Sequence, residues 1–445
     1  MTAADHPPPL ADDADPPSTL ADTLQDHALE PVPAAERKSV MQLVIVQIGW
    51  NISVSSFLVG GVVGGGTTFS EGLLAILLGN VLLVAVAYLI GMVGFRTGLT
   101  SYLASRAVFG TRGSIIVTML LGVVAMGFIG VLADTWGTAV NKLIPAVPGW
   151  AFVLAFALAI TSTAIFGFKG LQRYSAIAVP IEIAIALLAL VAIARTEDGF
   201  AGVVAVVPAA GIGFGAAVGA VMSTWITGAA LVSDVTRYAR SGRHVLLGVI
   251  AGFVVGAGTF ELIATLSAMS VGNSNFVVVM QSLGLLAPAV VMLVLALWNT
   301  ADNNLYSASL AFTSASDLLG FRVPKWVWTI VAIVIAVLVA LSGAAAQFGV
   351  FLGVVGVVAP PFAGVLIAHF WLVARGVSGA RLLSEAPTVR WEALLCWLVA
   401  SLLAWSTGFL LTDAIEGLVA GAVLYGIVGS LLRSRQTEAT SVSSA

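Results

Sequence analysis

Gln47-Ile48-Gly49-Trp50-Asn51-Ile52-Ser53, followed by a glycine-rich stretch at 60–66, interrupts the first long apolar segment of the chain. A helix surrounded by lipid must bond its own backbone, so polar and glycine-rich residues at membrane depth need a purpose. Transporters built from inverted repeats place such interruptions in the first helix of each half, where freed carbonyls and half-helix ends bind substrate and ions. The sixth segment carries a matching run, Gly211-Ile212-Gly213-Phe214-Gly215, then Ser223-Thr224-Trp225-Ile226-Thr227-Gly228. Glycines at such spacing also serve close helix packing. Two runs in corresponding positions favour a pair of broken helices.

The lipid setting follows from composition. Of 445 residues, 59% are hydrophobic and 9% charged. Soluble domains carry about 25% charged residues. Twelve apolar segments are predicted at about 41–64, 72–94, 114–140, 150–168, 174–194, 211–233, 245–271, 285–312, 324–342, 348–374, 390–408 and 413–432. Each suits a membrane helix of about 20 residues. Placing the N-terminus in the cytoplasm leaves only Lys142 and Arg195, of 19 basic residues, on the outer side. A miscounted segment would scramble that bias, so it supports both the count and the orientation. Residues 1–38, rich in Pro, Asp and Ala, are predicted to be a disordered cytoplasmic tail, and 435–445 a second tail. The start lacks the charge and apolar core of a signal peptide.

Charge and cysteine content exclude several classes. A net charge of −3 gives no footprint for nucleic acid, and the lone Cys396 permits no intramolecular disulfide. The four scattered histidines match no metal-ligand spacing. No nucleophile, base and metal set clusters in the sequence, which argues against an enzyme.

The eighth segment carries a polar patch, Trp298-Asn299-Thr300-Ala301-Asp302-Asn303-Asn304. Polar groups at this depth serve a site or a hydrogen-bond network. Ala296, Asn299 and Thr300 share a helix face. A backbone carbonyl with the oxygens of Asn299 and Thr300 suits a hard cation; helix-to-helix hydrogen bonding is the alternative. Asp302 lies beside this face. Glu182, next to Pro180 in the fifth segment, is a buried carboxylate suited to binding a proton or to packing in protonated form. Glu261 in the seventh raises the same question, with packing favoured. Asp234 with Arg237 and Arg240 marks the inner end of the sixth segment.

These features together resemble nucleobase–cation symport family one, the purine–cytosine permease family, and within it the cytosine permeases. The likeness rests on Pro31-Val32-Pro33, Arg37-Lys38, Leu78-Gly79-Asn80, Gly91, Arg96-Thr97-Gly98-Leu99-Thr100, Arg106-Ala107-Val108-Phe109-Gly110, Ser233-Asp234-Val235-Thr236-Arg237-Tyr238 and the Trp298 patch through Tyr306. It implies an all-α polytopic membrane protein of 12 helices with a five-plus-five inverted repeat of the LeuT type. The repeats would be 39–200 and 201–376, with two appended helices in 377–434. It also implies a flat heterocycle held between two rings. Phe128 matches one, standing where a Trp is usual within Gly127-Phe128-Ile129-Gly130. Trp225 matches the other, with Thr224 and Thr227 facing substrate. Sodium would be held by the carbonyls of Gly49, Ile52 and Ala296 and the side chains of Asn299, where Thr is usual, and Thr300. Ser53, Asn303 and Asn304 are candidates for the substrate's edge.

The expected activity is sodium-coupled import of a nucleobase, cytosine first, across the cell's inner membrane. Rival readings are another planar heterocycle (purine, uracil, allantoin, hydantoin or thiamine precursor) with proton coupling through Glu182, and a channel. Nothing in the sequence speaks to oligomeric state.

Overall fold

The computed structural model describes residues 24–208, 210–273, 276–343, 348–374, 379–406 and 412–443. Among them are eight helices long and apolar enough to span a membrane, one bent pair, and three shorter apolar helices. These are the twelve expected segments. The first span is Val40–Asn51 joined to Val54–Gly66. The second to sixth are Phe69–Thr97, Gly113–Leu143, Gly149–Ala164, Phe168–Ala194 and Phe214–Leu231. The seventh is Gly242–Val271, and the eighth and ninth are Leu286–Leu318 and Lys325–Leu341. Phe348–Ala368, Trp391–Ser406 and Asp413–Ser443 complete the series.

Packing partners come in exchanged couples. The first span packs on the seventh and the sixth on the second; the third packs on the ninth and the eighth on the fourth. The first also packs on the fifth as the sixth does on the tenth, while the third and eighth pack on each other. Exchanging each of the first ten spans with the one five places away, first with sixth through fifth with tenth, converts one set into the other. Five is odd, so the second set runs inverted relative to the first. The eleventh and twelfth spans pack on the tenth, outside this exchange.

The predicted break in the first span is present: its halves meet at 58°. Ile52 leaves the helix with ψ 102°, and Ser53, extended, caps the second half by accepting from Ser56 N. The predicted break in the sixth span is absent. Phe214–Leu231 is one continuous helix, and Gly211 and Gly213 lie in the extended segment ahead of it. There Ile212 N donates to Gly66 O at 2.8 Å, so these glycines serve a junction with the end of the first span. An irregular turn sits instead in the seventh span, where Ala251–Ala257 is π-helical. Asn51 and Gln47 press on its Gly252 and Gly256, where an added Cβ would come within 3.3 Å of them. π-turns of this kind recur at functional sites.

The N-terminal segment also departs from expectation. Residues 24–38 are ordered across one end of the bundle, with Ala28 and Val32 buried. Val32 N bonds Gly98 O at 3.0 Å, Lys38 N bonds Tyr238 O at 2.7 Å, and Lys325 N bonds the Gln25 side chain at 3.0 Å. The segment supplies acceptors and apolar contacts that the helix ends need, which composition alone does not reveal. The disorder expected for residues 1–23 concerns residues outside those described. At the other terminus the twelfth helix continues to Ser443, through most of the expected tail.

Candidate functional site

A cavity of about 280 Å³ opens between the second half of the first span and the third, sixth and tenth spans. Phe128, Thr224 and Thr227 line it, as the sequence anticipated. Ser55, Ser223, Val355 and Gly356 join them without having been anticipated. On a straight helix, residues 223, 224 and 227 fall within about one quadrant, while 225 points roughly the opposite way from 223. The wall thus offers three hydroxyls on one face. Thr224 Oγ1 donates to Ala220 O at 2.9 Å, so its hydroxyl proton is engaged and its oxygen retains the capacity to accept. Apolar walls with a few hydroxyls suit a small, flat solute with a polar rim.

Trp225 is placed differently from expectation. Its ring is buried behind the cavity wall, edge-on to Phe253 at 6.5 Å between centroids. Its Nε1 donates to Ser56 Oγ at 3.2 Å, and Ser56 Oγ donates to Asn51 O at 3.2 Å. Because the sixth span is unbroken, Trp225 cannot share the face of Thr224 and Thr227. It instead braces the bend of the first span. Ser53 is buried in its capping role. Asn303 and Asn304 are also away from the cavity lining. Their amides donate to Asn299 O and Thr300 O on their own helix, both at 2.8 Å.

The proposed cation ligands converge at the bend. The first half-helix ends at Asn51, so its last carbonyls, Gly49 among them, lose the regular helical partner. Gly49 faces the eighth span so closely that an added Cβ would lie 2.6 Å from Asn299 Nδ2. Ile52 and Ala296 belong to one apolar cluster beside it, with Val179 and Met292. Asn299 Nδ2 and Thr300 Oγ1 are buried with no hydrogen-bond partner among the described residues. Backbone carbonyls at a helix break and a carboxamide and hydroxyl with spare capacity fit a monovalent cation carried as cargo. Ser175 on the fifth span also belongs here, donating to Asn299 Oδ1 at 3.0 Å. No motif in the sequence marks it.

Glu182, two helical turns beyond Ser175 on the same span, is fully buried. Neither of its carboxylate oxygens has a partner among the described residues. Glu261 is paired: Asn80 Nδ2 donates to it at 2.6 Å. This joins the second span to the seventh and gives Glu261 the packing role favoured from sequence. Asp234 is structural as well, accepting from Ser101 N at 2.8 Å and Ser307 Oγ at 3.1 Å.

Residues 31–429 match the family described as permeases for cytosine/purines, uracil, thiamine and allantoin. The chain belongs to this permease family. It is therefore a multi-pass membrane transporter and not an enzyme. The permease is 30% identical to the cytosine permease of Escherichia coli (strain K12), covering 92% of this chain and 95% of that one. Among solved structures it is similar to Mhp1, a nucleobase-cation-symport-1 family transporter, in a closed conformation with bromovinylhydantoin bound. The TM-score is 0.79 at 20% identity, over 91% of this chain and 95% of that one. A sodium-coupled sialic acid symporter, substrate-bound and outward-open, shares the fold with a TM-score of 0.69 at 12% identity, over 93% of this chain and 92% of that one. These likenesses bear out the all-helical transporter fold.

Proposed function

We propose that the permease imports a nucleobase, cytosine first, by sodium-coupled symport through alternating access. The observation that carries this reading is one arrangement: Phe128, Thr224 and Thr227 share a cavity against the same broken span whose bend meets Asn299. A nucleobase is planar and uncharged at neutral pH. The Phe128 ring would take its face, and Ser55, Ser223, Thr224 and Thr227 its polar edge. Sodium held by Gly49, Ile52, Ala296, Asn299 and Thr300 would brace the first span against the eighth and so shape the cavity wall. Cation and substrate then favour the same closed state, and each shifts the equilibrium only by its differential affinity for that state. The Mhp1 complex with a hydantoin and the cytosine permease relative support a flat cyclic solute. The bias of basic residues supports an inner-membrane protein with both termini cytoplasmic. Repeat boundaries at 39–200 and 201–376 agree with the exchange of packing partners.

The second reading keeps the cavity and changes cargo and ion. The unpartnered Glu182 favours it, because a carboxylate buried without a counter-charge suits reversible proton binding. The deciding experiment measures uptake of radiolabelled cytosine, uracil, purines, allantoin, hydantoins and thiamine precursors into proteoliposomes. Each is run in sodium, in potassium, and across a pH gradient. Saturable cytosine uptake that needs sodium supports the first reading. Uptake that follows the proton gradient and is lost in Glu182→Gln supports the second. Flux that neither saturates nor follows a cation gradient would overturn both.

A further inference from the structure

We infer that Ser175 is a positioning residue for the cation site, acting by setting which end of the Asn299 carboxamide faces the first span. The inference rests on the sodium-coupled reading and assigns a role on the fifth span that the ligand set above does not contain. Three residues from three helices meet here. An added Cβ on Gly49 would lie 2.6 Å from Ser175 Oγ as well as 2.6 Å from Asn299 Nδ2. Ser175 is fully buried, and its hydroxyl donates to Asn299 Oδ1 at 3.0 Å. The amide oxygen is therefore turned to the fifth span and the amide nitrogen to Gly49, where it has no partner.

That orientation disfavours a cation at Gly49. A cation near the Gly49 carbonyl is repelled by the N–H end of the amide and attracted by its oxygen. Half a turn about the terminal side-chain bond exchanges the two ends. Oδ1 then faces the first span, and Nδ2 points at Ser175. Among small side chains, a hydroxyl is the partner that serves both arrangements. It donates to Oδ1 in one and accepts from Nδ2 in the other. The second bond is the stronger, because a cation on Oδ1 polarises the amide and makes Nδ2 a better donor, so Ser175 favours the cation-bound arrangement.

The neighbouring contacts hold the two helices in the required register. Tyr174 Oη donates to Leu295 O at 3.1 Å, and the Tyr174 ring stacks on Trp298 with centroids 4.8 Å apart. These contacts flank Ser175 and Asn299 on both helices. The separation between Oγ and the amide is set by backbone packing. It does not depend on the serine rotamer alone.

The test is a double-mutant cycle on Ser175→Ala and Asn299→Thr, read as the sodium concentration giving half-maximal binding of cytosine at fixed cytosine. In the parent protein, Ser175→Ala is expected to raise that concentration roughly three- to tenfold, the worth of one buried hydrogen bond. In the Asn299→Thr background there is no amide to orient, and Ser175→Ala is expected to change it less than twofold. An equal shift in both backgrounds would mean Ser175 only packs, and would overturn the inference. No shift in the parent protein would overturn it too, while leaving sodium coupling intact. A parent protein indifferent to sodium would instead overturn the sodium reading and this inference with it.

Discussion

The buried guanidinium of Arg237 donates to the backbone carbonyl of Asp26 at 2.9 Å, tying the end of the sixth span to the N-terminal segment. A second nitrogen reaches His27 O at 2.7 Å, and Tyr306 Oη on the eighth span accepts at 2.8 Å. The Asp26 carboxylate accepts from Tyr238 Oη at 2.9 Å and from Phe168 N, at the start of the fifth span, at 3.3 Å. Residues from the fifth, sixth and eighth spans are thereby closed around one aspartate. Asp26→Ala removes the side-chain bonds and leaves a buried arginine without its neighbouring carboxylate, 3.7 Å away. A loss of about 1.5–3 kcal/mol is expected, as for hydrogen bonds to charged groups. Thermal unfolding in detergent measures it. An unchanged midpoint would show that the N-terminal segment does not hold this end closed.

Asp234 lies just beyond the sixth span, and burial pushes its carboxyl up to about 6, against the downward pull of the Ser101 N–H and of Arg237. The folded value stands above the ordinary 3.8, so the folded state binds this proton more tightly. The stabilising contribution is fully present below that ordinary value and is lost as pH rises through about 6. Parent protein is expected to lose up to about 3 kcal/mol between pH 4 and 7 from this group, at roughly 1.36 kcal/mol per unit. Asp234→Asn should remove that part of the slope. Equal slopes for the two proteins in chemical unfolding across this range would contradict the assignment.

Gly49 leaves no room for a side chain. Its Cβ position is 2.6 Å from both Asn299 Nδ2 and Ser175 Oγ. Gly49→Ala must push the first span off the eighth, with an overpacking cost of about 1–3 kcal/mol. Sodium stimulation of cytosine binding is expected to disappear while residual sodium-independent binding persists. A variant with parental sodium response would place the cation elsewhere.

The two aromatic residues that the family resemblance pairs around the substrate should behave differently. Phe128 lines the cavity, so Phe128→Ala is expected to weaken cytosine binding roughly three- to tenfold, by loss of a ring contact worth about 0.5–1.5 kcal/mol. Trp225→Phe keeps an apolar ring behind the wall and loses only the bond to Ser56 Oγ. Its effect on affinity should be the smaller of the two. Isothermal titration would settle the order, and a larger loss from Trp225→Phe would mean that Trp225 meets substrate directly.

Much of the architecture was legible in the chain because lipid imposes simple rules. Apolar length counts spans, and the break at Gly49–Ser53 was visible because polar residues and glycine stand out in an oily run. The polar face of Asn299 and Thr300 was legible for the same reason. Phe128, Thr224 and Thr227 came from family resemblance, and the cavity gathers all three. Glycine content alone could not separate a broken sixth span from an unbroken one that begins after Gly213, since both leave the same residues in the same order.

The sequence by itself determined the membrane setting, the twelve segments and the bend in the first span, because each depends on local composition and on satisfying the backbone in lipid. Only the tertiary structure decided that Trp225 braces Ser56 and does not line the cavity, that Ser175 meets Asn299, and that residues 24–38 seal one end around Arg237. Each of these is a contact between residues far apart in the chain. The geometry that creates it, the rotation of a continuous helix or the register between two packed ones, leaves no local trace in composition.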